Sequence, residues 1–156
     1  MGIKRTTSEK AVLGALLATA EAQRKLVLTD LGYIGESAVR HARKNHSYKD
    51  WSGNLTSSIG YVIYEDDKPI QMSDFEQVKP NENFDNSVEL NGSEVGKQFA
   101  AKISQIAKQK HKLVIVAGMV YAEAVQKYKY EVLQGAIILA KNLLKRWYPD
   151  TKFEER

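Results

Sequence analysis

Apolar residues recur at helical spacing through the first third of the chain. Val12, Leu13, Leu16, Leu17 and Ala20 share one face, and Leu26, Val27 and Leu31 continue it less regularly. Thr6 followed by Glu9 has the spacing at which each side chain satisfies a backbone N–H at a helix start. Thr29-Asp30 offers a second start, so a kink or short break is expected there. Gly32 and Gly35 weaken the stretch, each by ~1 kcal/mol against alanine. Helix resumes through Ile34, Ala38 and Val39 and ends near Asn45, as one long helix or two in series.

The period then changes. Ile59 to Tyr64 is β-branched and aromatic, Glu65 to Pro69 supplies a turn, and Ile70-Gln71-Met72 returns, which predicts a hairpin with an acidic tip. Residues 73–92 are rich in Asp, Glu, Asn and Ser around Pro80 and form a long loop, a kind that is usually functional or mobile. Ser93 can cap the next helix, with Val95, Phe99, Ile103 and Ile106 as its buried stripe and Lys97, Lys102, Lys108 and Lys110 outward. Leu113–Val116 is a buried strand that Gly118 breaks. A short helix begins near Tyr121, and a longer one runs from about Glu131 to Trp147 until Pro149 stops it. Its apolar face is Val132, Ala136, Leu139, Ala140, Leu143 and Trp147. The order α-β-β-α-β-α-α defines an α+β fold: a long N-terminal helix, a small antiparallel sheet (a hairpin plus one or more strands), and amphipathic central and C-terminal helices.

At 156 residues the chain is one domain, with a helical arm at 8–45, sheet and helices at 52–147, and a tail at 148–156. It has no cysteine, which excludes disulfides, thiolate zinc sites and a cysteine nucleophile. No segment reaches ~18 uninterrupted apolar residues, so no membrane span is expected. Lys4 and Arg5 precede an apolar run broken by Glu21, Gln23 and Arg24, which makes no export signal. The net charge of +4 is unevenly spread. Residues 47–95 carry three Lys or Arg against ten Asp or Glu, while residues 96–156 carry twelve against five. An acidic middle beside basic flanks can steer neighbouring copies together, and it is unlike the concentrated basic surface of a nucleic-acid binder.

No set of polar residues has the spacing of a catalytic or metal site. His41 and His46 are five apart and do not share a helix face as a metal pair would. With Arg40, Arg43 and Lys44 they read as a solvated helix end favoured by the helix dipole. Asp66-Asp67 and Asp74/Glu76 could bind a divalent ion or act as paired carboxylates, but neither set has a third ligand at defined spacing and the turn explains them better. Lys110-His111-Lys112 is a polar connector. Tyr121, Tyr128, Tyr130 and Trp147 could stack bases, but their helical spacing suits core or interface anchors. There is no phosphate-cradling loop and no nucleophile elbow, and neither cofactor nor metal is expected.

Two stretches about sixty residues apart are the most informative: Ser52-Gly53-Asn54-Leu55-Thr56-Ser57-Ser58-Ile59, and Val120 to Gln126 after the apolar run. Both are places where backbone and small side chains pack closely. The first resembles the "Thr-Gly-x-Leu-Arg-x-Ser-Ile" sheet entry of tail-completion, or head–tail joining, proteins of tailed bacteriophages. Tyr121-Ala122-x-x-Val125 is similar to that family's "Tyr-Ala-x-x-Val-Glu-x-x-Gly-Tyr". Tyr130-Glu131-Val132-Leu133 is close to its "Tyr-x-Val-Leu" lead into a C-terminal helix. The likeness covers most of residues 8–147 in order and spacing. Ser52 replaces Thr, Thr56 replaces Arg, Gln126 replaces Glu and Lys129 replaces Gly, which alters a turn and a charge contact.

The resemblance implies a virion component without enzymatic turnover, made in the host bacterial cytoplasm. It would form a homo-oligomeric ring at the phage neck or head–tail junction, against portal, neck or tail proteins and in non-specific contact with packaged DNA. Physical reasoning points the same way. A small sheet leaves open edges, a long one-striped helix needs a partner surface, and heterologous contacts that close into a ring supply both. Subunit contacts are then expected at Gly53, Leu55 and Ile59, at the loop around Phe75 to Phe84, and at Tyr121, Ala122, Val125 and Tyr130, and a charge at Ala122 would block assembly. The alternative is a nucleic-acid-binding module that uses the basic helices, with binding that weakens steeply as salt rises.

Overall fold

A computed structural model describes residues 8–85, 89–103 and 109–153. Among the described residues, five helices and three strands follow in the order α1 (Glu9–Lys44), α2 (Asn54–Ser57), β1 (Ile59–Glu65), β2 (Lys68–Met72), α3 (Gly92–Ile103), β3 (His111–Ala117), α4 (Ala122–Lys127) and α5 (Gln134–Trp147). The fold is α+β, with a long N-terminal helix and a small antiparallel sheet. Thr6, Ile106 and Lys108 lie outside the described residues.

α1 is one unbroken helix of 36 residues, about 54 Å long at 1.5 Å per residue. Ser8 caps it, its hydroxyl accepting from the Ala11 N–H. The break expected at Thr29-Asp30 does not occur, and neither side chain caps a new helix start. The Thr29 hydroxyl donates one turn back to the Lys25 carbonyl, and Asp30 accepts a 2.6 Å hydrogen bond from the Tyr148 hydroxyl. Gly35 is a seat rather than a weak point. A Cβ there would lie 2.6 Å from the Tyr61 ring, so glycine lets β1 approach the helix.

The sheet order is β2-β1-β3, antiparallel throughout. Asp66 and Asp67 form the hairpin turn with φ of 47° and 64°. Two positive φ values make the turn whose twist suits a tight hairpin, and aspartate tolerates that conformation. β1 is buried on both faces, which explains its continuous apolar run. Ile59, Tyr61 and Ile63 face α1 and α5 in a core with Leu31, Ile34 and Ala136. Val62 and Tyr64 face the other way, into a second core with Phe75, Ala100 and Val116.

α3 covers that second face, but not with the expected stripe. Gly92, Gly96 and Ala100 are buried, whereas Phe99 is exposed and Val95 and Ile103 are only partly covered. The reason is Phe75. Its backbone takes a φ of 46°, and its ring fills the space beside Gly60 and Gly96, where added Cβ atoms would meet it at 2.3 and 2.7 Å. A helix this close to the sheet presents small residues inward. The helix begins at Gly92, and Ser93 lies in its first turn.

α5 packs antiparallel on α1 with Ala136, Ala140 and Leu144 inward. Leu139 and Leu143 are partly buried, while Trp147 is exposed and tilted against Tyr33 at 5.8 Å.

Candidate assembly surface

The Ser52–Ile59 stretch becomes a hub of small polar side chains. Gly53 takes a φ of 74°, α2 makes a single turn, and β1 follows. The Ser57 hydroxyl donates to the Gly53 carbonyl at 2.5 Å and accepts from the Val78 N–H at 2.7 Å. The Ser58 hydroxyl donates to the Leu55 carbonyl and accepts from the Met119 N–H, while the Ser58 carbonyl accepts from the Gly118 N–H. The Asn54 amide donates to the Glu89 carbonyl and accepts from the Gly92 N–H. Asp50 accepts from the Thr56 N–H at 2.7 Å. Short side chains are needed here because a longer one would reach past backbone this close. The hub joins the 73–78 loop, the start of α3 and the end of β3 to one corner.

Arg43 completes that corner. Its guanidinium donates to the Ile59 carbonyl at 3.0 Å and the Ser57 carbonyl at 3.4 Å, and burial lowers its pKa from the ordinary value. It is not part of a solvated helix end, as its neighbours on α1 suggested. Its partners, Ser57 and Ile59, flank Ser58 between α2 and β1, and nothing in the helix pattern marks them.

The two motifs meet at this corner. Besides the Gly118 and Met119 links, Tyr121 stands near Ser52 and Asp50, and burial is the largest cause of its raised pKa. Around the corner stand exposed apolar side chains. Val120 is 96% exposed and Trp51 52%, with Tyr121, Tyr128 and Tyr130 also open. Val120 and Trp51 were missed because no periodic stripe contains them; an aromatic beside Ser52-Gly53 was the available signal.

The residues expected at subunit contacts therefore divide. Gly53, Leu55, Ile59, Phe75 and Ala122 are buried within the subunit and have no surface left to offer. They were misplaced because tight packing of small residues looks the same within a subunit as between subunits. A glutamate at Ala122 would perturb folding before it could report on assembly. Tyr121 and Tyr130 are exposed, and Val125 and Phe84 are partly so.

A second open apolar surface lies at the far end of the sheet. Arg24 clamps α1 to the end of β1, with its Nε and Nη2 donating to the two Glu65 oxygens at 2.7 and 2.6 Å. His111 reaches the same carboxylate at 3.0 Å. The Arg24 hydrogen bonds, with His111 adding to them, hold the Glu65 carboxyl down at about 2. Before the clamp, every residue from Ser8 to Gln23 is exposed, including Leu13 at 58% and Leu16 and Leu17 at 63%.

A groove of about 730 Å³ runs along the free edge of β3, between Val27 and Leu31 of α1, Leu144 of α5 and Phe153. Two of its polar neighbours are engaged elsewhere: His111 with Glu65, and Lys112 with Asp67 at 2.5 Å. Among the described residues, no three metal-ligating side chains cluster and no helix is long and apolar enough to cross a membrane. The arrangement offers apolar surface for docking rather than polar groups converging on a reactive point. The chain matches no protein-family model, and comparison with curated proteins and with solved structures yielded no match either.

Proposed function

We propose that the chain is a structural subunit that closes with identical copies into a ring, in the role of a neck or tail-completion protein at the head–tail junction of a tailed bacteriophage. The observation that carries the assembly half is the pair of open apolar surfaces at opposite ends of one sheet. Arg43 holds α1 to the start of β1 and Arg24 holds it to the end. The aromatic corner lies at the first end and the bare leucine arm at the second. Unlike surfaces on one subunit favour head-to-tail contacts, and these close into rings when the rotation permits. The phage assignment rests on the two motifs and their order along the chain. The acidic hairpin side and the basic C-terminal half add complementary fields for docking.

Electron microscopy of the purified chain tests the proposal. Closed particles with an axial opening are expected. Single compact particles at every concentration, or open-ended filaments alone, would overturn it.

A further inference from the structure

The α1 arm and the β3 groove are two halves of one apolar strip. Leu13, Leu17 and Ala20, then Val27, Leu31, Ile34 and Ala38, follow at steps of three, four or seven along α1, with Arg24 between them. Val27 onward packs on the subunit's own sheet, and Val27 and Leu31 also wall the groove. The same helix face that is covered from Val27 onward is therefore bare before Arg24.

We propose that the arm of one copy lies in the β3 groove of a second copy. This inference rests on the self-assembly reading and names its contact. The arm cannot fill its own groove, because α1 is continuous and Arg24 pins it to Glu65, so its leucines extend beyond the body. A groove walled by Leu113, Ile115, Leu144 and Phe153 takes the apolar face of an amphipathic helix, with residues three and four apart as anchors. The β3 edge is also the sheet edge without a guard. β2 carries Pro69 and a register irregularity opposite Ile63/Tyr64, devices that blunt an edge, whereas His111–Ala117 has no proline and pairs with β1 residue for residue. Charge supports the match. Residues 8–23 of the arm carry Glu9 and Glu21 against Lys10, while Lys141 and Lys152 stand at the grooves beside β3 against Asp150.

The chain has no native cysteine, so installed cysteines report only the chosen contact. In a Leu17→Cys/Leu113→Cys variant, mild oxidation is expected to give covalent oligomers, while neither single variant does so. Cross-linking of Leu17→Cys alone would mean that arms pair with each other, and would overturn the inference. A ladder that extends past dimers agrees with ring closure. A product that stops at dimers keeps the arm–groove contact and overturns the ring. In parallel, Leu13→Glu/Leu17→Glu is expected to weaken association by roughly a hundredfold or more, since two leucines lose their burial. Its far-UV circular dichroism and unfolding midpoint should not move, because these side chains belong to neither core. Unchanged oligomer mass in this variant would remove the arm from the interface and leave the ring reading standing. A wild-type chain that stays monomeric throughout would remove both.

Discussion

Lys129 holds a φ of 65°, a left-handed conformation that costs a residue with a Cβ about 1–2 kcal/mol. The turn between α4 and α5 keeps the backbone shape glycine favours while the side chain does not. Lys129→Gly is expected to stabilise the subunit by about 0.5–1 kcal/mol after glycine's own entropy cost. The urea midpoint should rise, and an unchanged or lower midpoint would contradict the strain. Glu65 makes a prediction in pH. Its pKa falls from 4.5 in the unfolded chain to about 2 in the folded one. A lowered folded-state pKa contributes stability that is complete above 4.5 and lost as pH drops toward 2. Glu65→Gln should therefore flatten the loss of stability across that window, and parallel acid-unfolding curves for variant and wild type would refute the clamp. Residue-scale features were unevenly legible. Asp66-Asp67 announced a turn because turn chemistry is local. The burial of Phe75 was hidden, since its seat is made by Gly60 and Gly96 from distant segments.

At the scale of elements, α1 is two structures in one helix. From Val27 to Ala42 it packs on the sheet and α5, and from Glu9 to Gln23 it is bare. Short isolated helices are marginal in water, so the arm of a free subunit opens far more readily than the body. Hydrogen-exchange mass spectrometry at dilution should find little protection in peptides before Arg24 and strong protection from Leu31 to Ala42. Assembly should raise the arm's protection, and equal protection of both halves at dilution would contradict the division. The longer helices and the hairpin were readable from period alone, whereas the single turn of α2 (Asn54–Ser57), in a stretch read as a strand entry, was not. The continuity of α1 was not, because Thr29 and Asp30 also suit a helix start; only the Tyr148 latch, from 118 residues away, decides otherwise. The buried face of α3 was misjudged for a related reason. Period finds the large apolar residues, but here the helix approaches by its small ones.

At the scale of the molecule, a single copy is well built inside and unfinished outside. Two cores sandwich β1, and the hub at Ser52–Ile59 satisfies its own polar groups. Among the described residues no buried side-chain polar atom lacks a partner. Outside stand a bare leucine arm, an apolar groove of about 730 Å³ and the aromatic corner at Val120 and Trp51. The arm's stripe was legible as a surface in want of a partner. The corner was legible only as a motif, whose tightly packed members belong to the interior and whose exposed neighbours face outward. A charge at the exposed position therefore reports on the corner where one at Ala122 would not. Val120→Asp should leave the unfolding free energy within about 0.5 kcal/mol of wild type and reduce oligomer mass; normal mass would take the corner out of the interface. The most direct test of the whole account is native mass spectrometry of the wild-type chain over a dilution series. One closed stoichiometry above the monomer, persisting over a wide concentration range, is the predicted result; a monomer at every concentration would contradict it.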